Sequence, residues 1–145
     1  MATTTKAQPM TRTAAGAAAI LLRLCILALT ITTAAIHASL GGLLFLANAA
    51  GYAALALGLV LPGPIAAHRW LVRLALVGFT TGTIGAWFLF GGRFPLAYLD
   101  KGLEVVLVGL LVIELWQIDG GPRGIANRGL ALLDSAWRLA RRTAQ

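Results

Sequence analysis

The sequence predicts an all-α integral membrane protein: a four-helix bundle followed by a basic amphipathic helix lying at the membrane interface. Three observations carry this expectation. Four apolar stretches, Ala14–Ile36, Gly42–Leu61, Trp70–Phe90 and Leu103–Ile118, fill most of the 145 residues. Each can reach the length of about 20 residues that a helix needs to cross a bilayer. The chain is 59% hydrophobic and only 12% charged, about half the charged share of a soluble domain. Finally, the basic residues are sorted to one side of the stretches.

Residues 1–13 are polar and Thr-rich, with Lys6, Pro9 and Arg12, and read as a flexible tail. A basic start before an apolar run resembles a secretory signal. The run is too long, however, Arg23 interrupts it, and Thr33-Ala34-Ala35 is a poor cleavage site. An uncleaved first helix is expected. It ends near His37-Ala38-Ser39, where Gly41-Gly42 permits a reversal. The second helix stops at Pro62-Gly63-Pro64, because proline lacks the amide proton that a helix interior uses. The third begins at Trp70 and ends at Gly91-Gly92. Pro95 suits the first turn of the fourth helix. The charge-free run there, Val105–Ile113, is short, so ionisable residues must lie within or at the edges of the membrane. Residues 14–118 thus form the transmembrane domain. After the break at Asp119-Gly120-Gly121-Pro122, residues 122–143 place Ile125, Leu132, Leu133, Ala136, Trp137 and Ala140 on one helical face. Arg128, Asp134, Ser135, Arg138, Arg141 and Arg142 take the other. Such a helix lies in the membrane interface, and Asp134 and Arg138 form an i,i+4 pair.

With four spans, both tails share a side with the connection between the second and third helices. That side holds Lys6, Arg12, Arg69, Arg73, Arg123, Arg128, Arg138, Arg141 and Arg142, against Arg93 and Lys101 opposite. The bias puts both termini in the cytoplasm and the chain in the cytoplasmic (inner) membrane as a multi-pass protein. The net charge of +7 then serves topology and anionic lipid headgroups rather than nucleic acid. The single cysteine, Cys25, cannot form an intrachain disulfide and reads as a small packing residue.

Ionisable groups in hydrocarbon need a partner or water, so each one is a candidate. On the outer side, His37, Asn48, Tyr98, Asp100, Lys101 and Glu104 can reach one depth. Lys101 and Glu104 can pair on one helix face, whereas Asp100 and Glu104 repel unless a cation or proton lies between them. This set is either an outward polar site for a proton, cation or ligand, or a network that ties the helices together. His37 and His68 are expected on opposite faces, which excludes joint haem ligation. No metal or cofactor is expected. On the inner side, Arg73 and Glu114 reach similar depth and pair, with Arg23 as a second partner for the carboxylate. Gly78-x3-Gly82, Thr81-x3-Gly85, Ala47-x3-Gly51 and Ala54-x3-Gly58 are small-residue spacings that allow close helix approach.

The segment Gly42-Leu43-Leu44-Phe45-Leu46-Ala47-Asn48-Ala49-Ala50-Gly51, after a His-ended first helix, resembles small four-span bacterial membrane proteins of unknown function. The resemblance spans most of residues 20–118 and implies no activity. There is no nucleophile–base arrangement and no nucleotide loop, so an enzyme is not expected. The favoured role is a non-catalytic structural or accessory subunit, as a homo-oligomer or within a larger membrane complex. The alternative is a small oligomeric transporter or channel using the outer polar set.

Overall fold

The computed structural model describes residues 10–143, which are helical almost throughout and contain no strand. The elements are α1 (Met10–Leu40), α2 (Leu43–Val60), α3 (Pro64–Ala67), α4 (Arg69–Phe90), α5 (Pro95–Asp119) and α6 (Gly121–Thr143). Lys6 and the rest of the tail up to Pro9 lie outside the described residues. The first helix begins at Met10 rather than Ala14, and the fourth long helix begins at Pro95, the proline expected in its first turn. The apolar runs mark only the most hydrophobic part of these helices, and backbone hydrogen bonding continues into the more polar residues that flank them.

The breaks fall where the chain chemistry demands them. Gly41 and Gly42 have φ of +68° and +80°, a region that side-chain-bearing residues avoid. Pro95 occupies the first turn of α5, and Gly120 closes that helix in the left-handed conformation. The helix α3 is a single turn between Pro64 and His68, not anticipated from the sequence.

α1 packs on α2 and α5, α4 on α5 and α2, and α6 on the end of α5. Among the described residues, three helices are long and apolar enough to cross a membrane: Gly16–Leu40, Leu43–Val60 and Arg69–Phe90. α5 has the length but carries Asp100, Lys101, Glu104, Glu114 and Asp119, and all five are buried. They share one stripe with Ala97, Leu107, Leu111 and Leu115 at three- and four-residue spacing. The opposite face of α5 exposes Val105, Val106, Val112, Ile113 and Trp116. α1 turns in Ile26, Thr30, Thr33 and His37, and α4 turns in Trp70, Arg73, Leu76 and Thr80. Midway along, Ile26, Tyr52, Leu76, Leu107 and Leu111 form an apolar layer. Polar clusters lie on both sides of it.

The small-residue spacings behave differently from one another. A Cβ at Gly51 would meet the Phe79 ring at 2.5 Å and one at Gly58 would meet Val72 at 3.0 Å, so α2 closes on α4 through these two glycines. A Cβ added at Gly78, Gly82 or Gly85 would meet nothing within 4 Å beyond its own helix. Within the chain, then, the side chains of α4 meet the glycines of α2, and the α4 glycines take no part in close helix packing.

Candidate functional site

One polar cluster lies toward the Gly41–Gly42 turn, built on the inward stripes of α1, α2, α4 and α5. Glu104 is its centre and has no exposed surface. The Tyr52 hydroxyl donates to Glu104 Oε1 at 2.9 Å, and Thr83 Oγ1 lies 3.1 Å from the same oxygen. Thr83 also sits 2.8 Å from the Thr80 carbonyl, one turn back on α4. Lys101 Nζ donates to Glu104 Oε2 at 2.6 Å and lies 3.0 Å from Asp100 Oδ2. The repulsion expected between Asp100 and Glu104 is thus relieved by the ammonium between them.

His37 completes the cluster. Its Nδ1–H donates to the Thr33 carbonyl at 3.0 Å, which leaves Nε2 as an acceptor in the neutral ring. Nδ1 is 3.7 Å from Asp100 Oδ1 and Nε2 is 3.9 Å from Glu104 Oε1, both longer than hydrogen bonds. Asp100 Oδ1 is buried and has no hydrogen-bond partner among the described residues. Two carboxylates face one ammonium, so the cluster carries a surplus negative charge when the imidazole is neutral.

A cavity of about 560 Å³ opens beside this cluster. Its polar lining includes His37, Asn48, Thr83, Asp100 and Lys101. Its walls are otherwise largely apolar and aromatic, with Phe45, Phe79, Trp87 and Phe90 among them, and Gly78 and Gly82 leave the room it occupies. The size lies in the range of small-molecule sites.

Of the residues expected at the outer site, His37, Asp100, Lys101 and Glu104 come together and Asn48 lines the adjoining cavity. Tyr98 does not join them: it is 54% exposed and packs edge-on against Trp87. The sequence does not point to Tyr52 or Thr83, because a lone aromatic in an apolar run reads as core and helix threonines usually bond back to their own turn. The spacing of Tyr52 from Asn48, one turn along the same helix, was the available signal.

His37, Asp100 and Glu104 offer ligand atoms within 4.8 Å of one another, as a metal site would. Lys101 already stands on both carboxylates, so a metal ion would meet an ammonium in its own place. The donor set fits a hydrogen-bonding partner better than a divalent cation. His68 lies elsewhere, exposed before α4, with its Nδ1–H on the Pro64 carbonyl.

The second cluster lies toward α3. Arg73 Nε is 3.1 Å from Glu114 Oε2, and Arg73 Nη1 donates to Asp119 Oδ2 at 2.7 Å. Arg23 Nε donates to Glu114 Oε1 at 3.1 Å. The expected trio therefore assembles. In the sequence Asp119 stands out only as part of a chain break, yet it is buried and also pairs with Arg128 of α6. A Cβ at Gly124 would clash with the Asp119 carbonyl, so this close start of α6 requires glycine there. Cys25 is exposed on the outer surface of α1 rather than packed inside.

No protein-family model, curated protein or solved structure matches this chain. The functional reading rests on the geometry of the cluster and its cavity.

Proposed function

We propose that this chain is a non-catalytic, multi-pass protein of the cytoplasmic membrane, a four-helix transmembrane bundle whose outward cavity binds a lipophilic molecule with a hydrogen-bond-donating head. The observation that carries the ligand is Asp100 Oδ1, a buried acceptor without a donor in a residue that lines an aromatic-walled cavity. Leaving such a group unpaired costs about 1–3 kcal/mol, which a donor brought by a ligand would recover. With Nδ1–H on the Thr33 carbonyl, a neutral His37 ring would offer a second acceptor through Nε2.

The inverted distribution of residue types supports the membrane setting. Among the described residues, ten polar or charged ones are buried against nine apolar ones, while Leu43, Leu89 and Phe90 are among many large apolar side chains left exposed. Such a surface suits hydrocarbon, not water. Burial of all five charged residues of α5 supports its reading as the fourth span. With four spans both termini face the cytoplasm, and the polar clusters face outward and inward respectively. Reporter fusions test this: activity characteristic of the cytoplasm is expected at both ends. A C-terminus on the opposite side would remove α5 as a span.

The apolar layer of Ile26, Leu76, Leu107 and Leu111 separates the two clusters, which counts against a conducting path through a single chain. The ligand reading is tested by organic extraction of protein purified in mild detergent, followed by mass spectrometry. A lipophilic species enriched on the wild type, and reduced about tenfold in Asp100→Asn and Gly82→Phe, is expected. Equal extracts from all three would overturn the reading. An accessory role in a larger complex stands beside it on one observation: α6 leaves Leu130, Leu133 and Trp137 more than half exposed. That face suits the inner membrane interface or a partner helix.

A further inference from the structure

We propose that the cleft between Arg23 and Arg69, at the α3 end, holds the phosphate of an anionic phospholipid, with an acyl chain laid along Leu24, Leu59 and Val60. This rests on the membrane reading above.

Three observations converge. The cleft, about 160 Å³, is lined by Arg23, Arg69, Arg73 and Glu114 together with apolar residues of α1 and α2. Charge there does not balance: Arg23, Arg69, Arg73 and Arg128 face only Glu114 and Asp119. Two positive charges remain over. The donors also do not balance. Arg69 Nε is buried without a partner, and Arg69 Nη2 makes a single bond, to the Leu61 carbonyl at 3.2 Å. The Arg23 side chain is 52% exposed and gives only Nε to Glu114, so its terminal nitrogens have no partner among the described residues.

Free guanidinium forks match the tetrahedral oxygens of a phosphate with paired, charge-assisted hydrogen bonds. Arg73 supplies charge to the cleft, but its Nε and Nη1 already face Glu114 and Asp119. The rim favours a lipid over a free anion. Leu24 is 57% exposed and Val60 is 51% exposed, both on the cleft's open side. By the charge bias this end lies at the cytoplasmic leaflet, where basic pockets between helices meet anionic headgroups.

The test uses the full chain in nanodiscs that mix phosphatidylcholine and phosphatidylglycerol, with the lipid retained after gentle detergent extraction counted by native mass spectrometry. Phosphatidylglycerol should be retained about tenfold over phosphatidylcholine at equal mole fraction, the scale of one charge-assisted contact. Arg69→Gln and Val60→Trp should each bring the ratio close to one, while Arg93→Gln at the other end leaves it unchanged. Val60→Trp alters no charge and decides the matter if Arg69→Gln fails to fold. An even ratio in the wild type, or the same enrichment in both cleft variants, overturns the proposal. Displacement by inorganic phosphate at matching concentration marks a free-anion site and overturns the lipid assignment. A chain that stays in aqueous buffer and never enters the nanodiscs overturns both readings, and this is seen before any lipid is counted.

Discussion

Near the Gly41–Gly42 turn, Asp100 and Glu104 share one ammonium, and the surplus charge is negative when the His37 imidazole is neutral. Near α3, Glu114 and Asp119 meet Arg23, Arg73 and Arg128, and the surplus is positive. The first cluster is closed: Glu104 is fully buried and its oxygens are held by Tyr52, Thr83 and Lys101. The second is open, because half of the Arg23 side chain is accessible. The difference follows from the shapes of the cations. Lys101 is a compact point charge that fits between two carboxylates on its own helix. The guanidinium of Arg73 is a wide fork that reaches two carboxylates more than one helical turn apart. A closed cluster stores stability and offers a leftover acceptor; an open one offers donors.

The largest expected effect breaks the closed cluster. Glu104→Ala strands Lys101 on Asp100 alone and leaves the Tyr52 hydroxyl without its carboxylate acceptor. Removing one partner of a buried pair costs about 3–5 kcal/mol, measurable as loss of unfolding free energy in detergent. A loss below about 1 kcal/mol would mean that Glu104 is hydrated, and the contrast between the ends would vanish.

Glu114→Ala acts on the open cluster and should cost less, about 3 kcal/mol, the low end of the buried-pair range. Arg23 can turn to water, while Arg73 keeps Asp119. Thermal unfolding of the two alanine variants side by side gives the ranking. If Glu114→Ala proves the more harmful, the inner cluster is the closed one.

Between the ends, the glycines sharpen the contrast of packed and open faces. Gly51→Ala drives a methyl into the Phe79 ring and should cost about 1–3 kcal/mol as overpacking. Gly82→Ala meets nothing and should stabilise the helix by up to about 1 kcal/mol. Equal shifts for the pair would remove the cavity beside α4.

The smallest effect belongs to Asp134, whose pair with Arg138 lies on the exposed face of α6. Asp134→Ala should change stability by at most about 1 kcal/mol, less at high salt. A loss as great as that of Glu114→Ala would show that α6 is docked on a partner through this face.

Much of this arrangement was legible in the chain. Glycine and proline punctuate it at positions 41–42, 62–64, 91–92 and 120–122, and each break is realised because backbone geometry there is a local matter. Lys101 and Glu104 are three apart on one helix, so their pairing needs no knowledge of other elements. Tyr52 and Asp119 were not legible. One sits alone in an apolar run and the other looks like the punctuation around it, and only neighbours from other helices give them a role.

The sequence by itself determined the all-helical character, the stops and the sorting of basic residues, since these depend on propensity, backbone freedom and charge along the chain. Only the tertiary structure decided which ionisable groups meet. Glu104 takes its hydroxyl donor from a residue 52 positions away, and Glu114 takes a guanidinium from one 91 away. Such pairings depend on how helices rotate against one another. That rotation is set by steric fit at places such as Gly51 against Phe79 and Gly58 against Val72. Packing of this kind has no periodic signature, because it depends on which side chain of one helix fills the gap left by another.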